Sequence, residues 1–307
     1  MVAIAPMIRP FGHLLIVAFG VVTLVFVVLR LSGDPALVIA PPQASEEDLA
    51  AVRREFGLDR PITVQYLSFL AGLARGDLGA SLRYRRPALE VVGERLGATL
   101  QLAVAAQLLA LAVAVPCGVI AAVHRDRWLD SALTMLATAG QSIPYFWLGL
   151  MAMVLVGVQL GWLPTSGRGT WAHLVLPAVT LSSYSMASLT RLVRSAVIEV
   201  LGADYIRTAS AKGLANPTVL LKHALRNALI PVVTLIGLQL GALLSGAVIV
   251  ETVFAWPGIG RLTVEAIHTR DYPVVQSGVL LMALLFVVAN QLVDLGYQWL
   301  DPRLRAR

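Results

Sequence analysis

The sequence predicts an all-α protein of the membrane: several long helices that cross a bilayer, with a small helical subdomain outside it. Three observations predict this. The 307 residues are 57% hydrophobic and only 14% charged, against about 25% charged in an ordinary soluble domain. Six apolar segments, approximately 11–31, 99–123, 132–158, 174–195, 229–252 and 274–297, approach or exceed the roughly 20 residues that a spanning helix needs. The single cysteine, Cys117, rules out an intrachain disulfide framework.

The first segment follows Arg9 and runs unbroken from Phe11 to Leu29 with no small-residue cleavage pattern behind it, so it reads as a retained span rather than a removed leader. Pro116 and Pro144 fall inside the second and third segments, where each frees a carbonyl and invites a kink. The fourth is the most polar, through Ser182, Ser183, Ser185, Ser188 and Thr190; hydroxyls that bond within their own helix or to a neighbour are compatible with a span. With the N-terminus inside, the cytoplasmic face holds twelve Arg and Lys residues, while the short outer loops hold Arg168, Arg261 and Arg270. The bias predicts both termini in the cytoplasm.

Between the first two spans lies a long outer segment, 32–98. Ser45-Glu46-Glu47-Asp48 resembles a capping box, with Leu49, Val52 and Phe56 at helical spacing behind it and Gly57 placed to close the helix. Pro61 precedes a second amphipathic run through Val64, Leu67, Leu70 and Leu73. The expected organisation is therefore a cytoplasmic start and first span (1–31), an outer helical subdomain (32–98), a five-span core (99–297) with a cytoplasmic loop at 196–228, and a cytoplasmic tail (298–307).

Several function classes lack their chemistry. No Gly-Lys-Ser or Gly-Lys-Thr occurs, and the only lysines are Lys212 and Lys222, so an ATP-binding phosphate loop is missing. The histidines at 13, 124, 173, 223 and 268 have no metal-ligand spacing, and no Gly-x-Ser-x-Gly elbow is present. The basic balance of +6 shows no Arg/Lys run with interleaved aromatics of the kind that binds nucleic acid. Glu251 and Asp294 lie near span ends, whereas proton-coupled carriers place ionisable groups at mid-membrane. An ion-coupled secondary transporter is thus the alternative reading.

The most informative stretch is Ala203 to Leu214. Small residues (Thr208, Ala209, Ser210, Ala211) follow Asp204 and precede Lys212; negative charge early and positive charge late suit the helix dipole, and Gly213 suits a terminator. Asn216-Pro217 then reads as a cap and first position of a helix running to Pro231. A short helix between two spans, with a small-residue surface, can seat against a partner and tilt both spans.

This loop resembles the EAA loop of binding-protein-dependent ABC importer permeases, in the dipeptide/oligopeptide/nickel branch. Arg207 and Thr208 replace the generic Glu and first Ala, while Ala209 and Gly213 match; Arg207 to Leu214 and His223 to Pro231 are similar to that branch. Gly33-Asp34-Pro35, Phe56 to Pro61, Gly76-Asp77-Leu78-Gly79, Glu251-Thr252-Val253-Phe254, Pro257-Gly258-Ile259-Gly260, Arg270-Asp271-Tyr272-Pro273 and Asp301-Pro302-Arg303 extend the likeness along nearly the whole chain. The resemblance implies a type I importer permease of the bacterial inner membrane. It binds no cofactor of its own; ATP and Mg belong to two cytosolic ATPase partners. A second homologous permease, with which it forms a heterodimer, and a periplasmic or lipid-anchored solute-binding protein complete the assembly. It also implies an ATPase-coupling helix carrying Asp204, Tyr205, Arg207, Thr208, Ala209, Ala211, Lys212 and Gly213. Glu251 and Phe254 are candidates for an outer gate or interface.

Overall fold

The computed structural model describes residues 19–31, 33–34, 36–39, 44–55 and 57–300, with backbone alone at 38, 39, 55, 240 and 292–300. Arg9, the start of the first expected span, Pro35, Phe56, the Asp294 side chain and Asp301-Pro302-Arg303 lie outside the described residues. Among the described residues the chain is 79% helical with no strand. By contact it divides into two units, residues 1–99 with 257–287 and residues 100–256 with 288–307.

In the first unit, α1 (Phe19–Leu31) is followed by α2 (Ala36–Ile39), α3 (Glu46–Glu55), α4 (Ile62–Ala74) and the start of α5 (Ala88–Val123). The chain returns to this unit as α13 (Ile259–His268) and the start of α14 (Tyr272–Leu300). The expected capping box forms: Ser45 N–H donates to Asp48 Oδ2 at 2.9 Å and Asp48 N–H to Ser45 Oγ at 3.2 Å. α3 closes at Gly57, with Leu58 N–H bonded to Arg53 O at 2.8 Å. Leu29, Val92, Ile259, Tyr272 and Val275 build one apolar cluster, and Val22, Leu78 and Leu280 a second.

Motifs that are far apart in sequence meet here. Buried Asp271 accepts Ser81 Oγ at 2.6 Å and Arg83 N–H at 3.2 Å. Tyr272 OH donates to Gly33 O, and Arg270 donates to Asp34 O at 3.0 Å. Asp34 also pairs with Arg53 at 2.7 Å. Gly33 has φ +130°, a backbone conformation that side-chain-bearing residues rarely adopt, so the backbone favours glycine there; an added Cβ would also displace the Arg270 guanidinium, 2.9 Å away.

The second unit comprises the rest of α5, then α6 (Trp128–Ser142), α7 (Tyr145–Ala152) continuing as a π-helical stretch Met153–Gln159, and α8 (Trp171–Leu201). After these come α9 (Asp204–Ala211), α10 (Asn216–Thr218), a π-helical stretch Val219–Ala224, α11 (Leu225–Ala228) and α12 (Ile230–Val253). α8 packs on α6 and α12; a buried cluster joins Ala110 and Ala114 of α5, Leu189 and Val193 of α8, Ala228 of α11 and Val232 of α12.

The third expected span is not one helix. α6 and α7 meet at a 105° bend, because Ile143, extended at ψ 124°, precedes Pro144. A residue before proline is pushed out of the α region and the proline supplies no N–H. α5, by contrast, continues through Pro116. α8's hydroxyls bond back along their own helix, as in Thr190 Oγ1 to Met186 O at 2.7 Å, or across to α6. By length and composition, α5 and α14 each suffice to cross a membrane, and two bent pairs, α6 with α7 and 216–228 with 230–239, raise the number to four. The described part of α1 is shorter, so the count of six is not reached among the described residues.

Candidate functional site

α9 is eight residues long, too short to hold itself together, and its stability comes from a seat. Ile206 and Ala209, spaced to share a face, are buried against Val219 and Ala224, with Val200, Leu201 and Leu220 around them. The opposite face, with Asp204, Tyr205, Arg207, Thr208, Ala211 and Lys212, is exposed. Ala209, expected on the contact surface, is thus part of the seat.

Three devices fix the helix. Tyr205 OH accepts Asn227 Nδ2 at 2.9 Å, and the same amide also donates to His223 O at 3.2 Å, tying α9 to α11. Thr208 Oγ1 donates to Asp204 O at 3.0 Å. Gly213 ends the helix at φ +79°, its N–H donating to Ser210 O at 3.0 Å. The Arg207–Asp204 pair, at 3.5 Å and with both side chains largely exposed, adds little. Beyond Gly213 the next helix starts one residue early: Ala215, not Asn216, is the N-cap and no side chain caps it. Beside the seat an open groove runs between Ala122, Val123, Leu201, Pro217 and Leu221, which leaves α9 unsupported on that side.

α8 delivers α9, and polar fasteners lock α8 to α6. Arg194 forks onto buried Asp130, Nε to Oδ1 at 2.5 Å and a terminal nitrogen to Oδ2 at 2.7 Å. Asp126 N–H donates to the same carboxylate at 3.0 Å. Arg191 donates to Gln141 Oε1, whose amide nitrogen donates to Ser188 at 3.1 Å. Planar, charge-assisted forks of this kind set orientation as well as energy. Sequence reasoning missed Asp130; the available signal was an acid beside one span and an arginine, Arg194, within another.

Glu251 and Phe254 are fully buried at the far end of α12 from the α9 seat. Phe254 packs on Gly149, where an added Cβ would come within 3.1 Å of its ring, and its carbonyl accepts Gly167 N–H at 2.9 Å. Arg168 lies over the Trp256 ring at 5.8 Å and donates to Gln101 at 3.0 Å. The coupling and gate candidates are therefore not one site: the first is α9 on its seat ahead of α12, the second the C-terminal end of α12. Among the described residues, no group of three His, Cys, Asp or Glu could hold a metal ion.

Known proteins resemble this chain. Residues 114–306 match the family described as binding-protein-dependent transport system inner membrane component, and residues 7–103 match the N-terminal part of such membrane components. The glutathione transport system permease protein GsiC of Salmonella typhi is 45% identical over 286 residues, 93% of this chain and 94% of that protein. Its counterpart in Escherichia coli (strain K12) is 43% identical over 288 residues, 94% of each. The dipeptide transport system permease protein DppB of Alkalihalophilus pseudofirmus is 41% identical over 318 residues, covering 94% of this chain and 96% of that one. Among solved structures, an inward-facing MetNI methionine ABC transporter matches with TM-score 0.57 at 18% identity, covering 69% of this chain and 96% of the other; this supports the fold alone. The chain belongs to the inner-membrane permease components of binding-protein-dependent ABC importers, in their peptide branch.

Proposed function

We propose that this permease imports glutathione or short peptides across the bacterial inner membrane, driven by two cytosolic ATPases that grip α9. The observation that carries the proposal is the two-faced α9: an apolar side held by the chain's own 219–224 segment and a polar side left exposed. A second homologous permease completes the path, an external binding protein delivers the solute, and both termini lie in the cytoplasm. ATP closes the ATPase pair and displaces α9; α8, fastened to α6 through Asp130–Arg194, carries the motion to the spans. ATP and the loaded binding protein thereby bias the same two-state element. Glu251 and Phe254 act at the other end of α12, where the path is closed to the outside.

The test is purification in mild detergent followed by reconstitution, with uptake of labelled glutathione and dipeptides measured with and without ATP. Recovery of two ATPases and a second permease, and uptake that needs ATP, is expected. Recovery of the chain alone, or uptake sustained by an ion gradient without ATP, overturns the proposal.

A further inference from the structure

α4 lies on the outer segment, yet its polar side chains, Thr63, Gln65, Tyr66 and Ser68, are few and uncharged. Its thirteen residues, Ile62–Ala74, include no charged side chain and none of them is buried. It packs antiparallel along α1: Phe26 meets Tyr66 at 5.1 Å between ring centroids and Phe69 at 5.7 Å. Thr23 and Tyr66 share a hydrogen bond of 2.7 Å, and Leu73 reaches the cluster containing Val22. Antiparallel contact with Phe26 and then Val22 carries α4 down beside the membrane span instead of away from it. Along α4, Ile62, Val64 and Leu67 are 56%, 40% and 65% exposed, and α1 beside it exposes Leu24, Val28 and Leu31.

Where α4 begins, the surface turns cationic. Arg30, Arg53 and Arg60 line a cleft of about 430 Å³ together with Asp34 and Gln65. Asp34 is already engaged by Arg53 at 2.7 Å and by Ala36 N–H at 2.9 Å. Arg30 is set over the rings of Phe26 and Tyr272 at 5.2 and 5.3 Å. Among the described residues neither Arg30 nor Arg60 has a salt-bridge partner. The floor is held in place by Gln65, which donates to Leu58 O at 3.1 Å and Arg60 O at 2.7 Å. An uncharged apolar helix with arginines gathered at its end suits a helix in hydrocarbon whose end lies at the headgroups, and guanidinium groups take phosphate in planar, bidentate fashion.

We propose that α4 is embedded in the bilayer beside α1 and that the arginine cleft holds the phosphate of an anionic phospholipid. The proposal requires only that the chain be membrane-embedded, so it stands or falls separately from the solute carried. The test uses the full chain in its complex, with Cys117→Ala, reconstituted in vesicles containing phosphatidylglycerol. Spin labels are placed at Ile62→Cys, Leu67→Cys and, as an aqueous control, Glu47→Cys. Positions 62 and 67 should collide with oxygen in preference to a water-soluble nickel relaxant, and position 47 the reverse. Nickel access at 62 and 67 overturns the proposal, as does exclusion of both relaxants, which would mean that another protein covers α4. Mass spectrometry of the purified complex should show a roughly tenfold loss of retained phosphatidylglycerol in Arg60→Gln, the scale of one charge-assisted hydrogen bond. Arg60 is exposed, so this variant leaves the fold intact. Unchanged retention, or displacement of the lipid by inorganic phosphate, refutes the lipid site.

Discussion

Gly213 offers the sharpest test of how α9 works. Its φ of +79° lies in the left-handed region, and an ideal Cβ there would meet nothing within 4 Å. Substitution by alanine therefore carries the backbone penalty without a clash, about 1–2 kcal/mol. A penalty of that size lowers the ratio of correctly terminated to displaced α9 by roughly 5–30-fold. Asparagine, which visits this region more readily, should cost less. Proline should cost most: its ring cannot adopt the required φ, and it removes the N–H that donates to Ser210 O at 3.0 Å. The assay is solute taken up per ATP hydrolysed by the full complex in proteoliposomes, at matched membrane insertion. The expected order of coupling is wild type, Gly213→Asn, Gly213→Ala, Gly213→Pro. Wild-type coupling in the proline variant, or alanine outperforming asparagine, would refute the reasoning.

Ala209→Leu overfills the seat of α9 at a cost of about 1–3 kcal/mol and should lower the thermal stability of the complex, whereas Ala211→Leu, on the exposed face, should instead weaken co-purification of the ATPase; equal thermal shifts would contradict the facing. Asp130→Asn leaves the Arg194 guanidinium facing a neutral group. Because Arg194 is 27% exposed, the loss should sit near the low end of the buried-pair range, about 3 kcal/mol. The double variant with Arg194→Met should recover part of the melting temperature, and a single variant that melts with wild type rejects the lock. Asp271→Asn weakens the bonds from Ser81 Oγ and Arg83 N–H by about 1.5–3 kcal/mol, and limited proteolysis should then cut faster within residues 81–87 than in wild type.

Composition and apolar runs made the membrane class legible, because lipid selects for side chains one by one. Local chemistry was legible too: the Ser45–Asp48 box, the stop at Gly57 and the terminator at Gly213 are each encoded within a few residues. Bends were not. Pro116 and Pro144 read alike, but only Ile143–Pro144 breaks its helix, and an apolar run is silent about direction. The π-helical stretch at 219–224 likewise has no side-chain signature, yet it forms the floor of the α9 seat. Within the candidate site, residue types pointed to α9 but not to which of its faces turns inward; Ile206 and Ala209 become inward residues only once Val219 and Ala224 are folded back beneath them. The Asp130–Arg194 fork spans 64 residues, a separation at which a sequence shows two charges and no pairing.

The union of Gly33 and Asp34 with Arg270 and Tyr272 also has a meaning for biogenesis. The Arg270–Asp34 bond joins residues 236 positions apart, so the contacts of this unit cannot be completed until most of the polypeptide has left the ribosome. At about 5–20 residues per second the delay is roughly 10–50 s. During that interval α3 and α4 emerge without α13 and the start of α14, with Asp34 deprived of Arg270, Gly33 of Tyr272 and Ser81 of the Asp271 carboxylate. A chain truncated before Arg270 would lack the closing contacts of this unit, and that unsealed unit would distinguish it from a finished permease to a membrane protease.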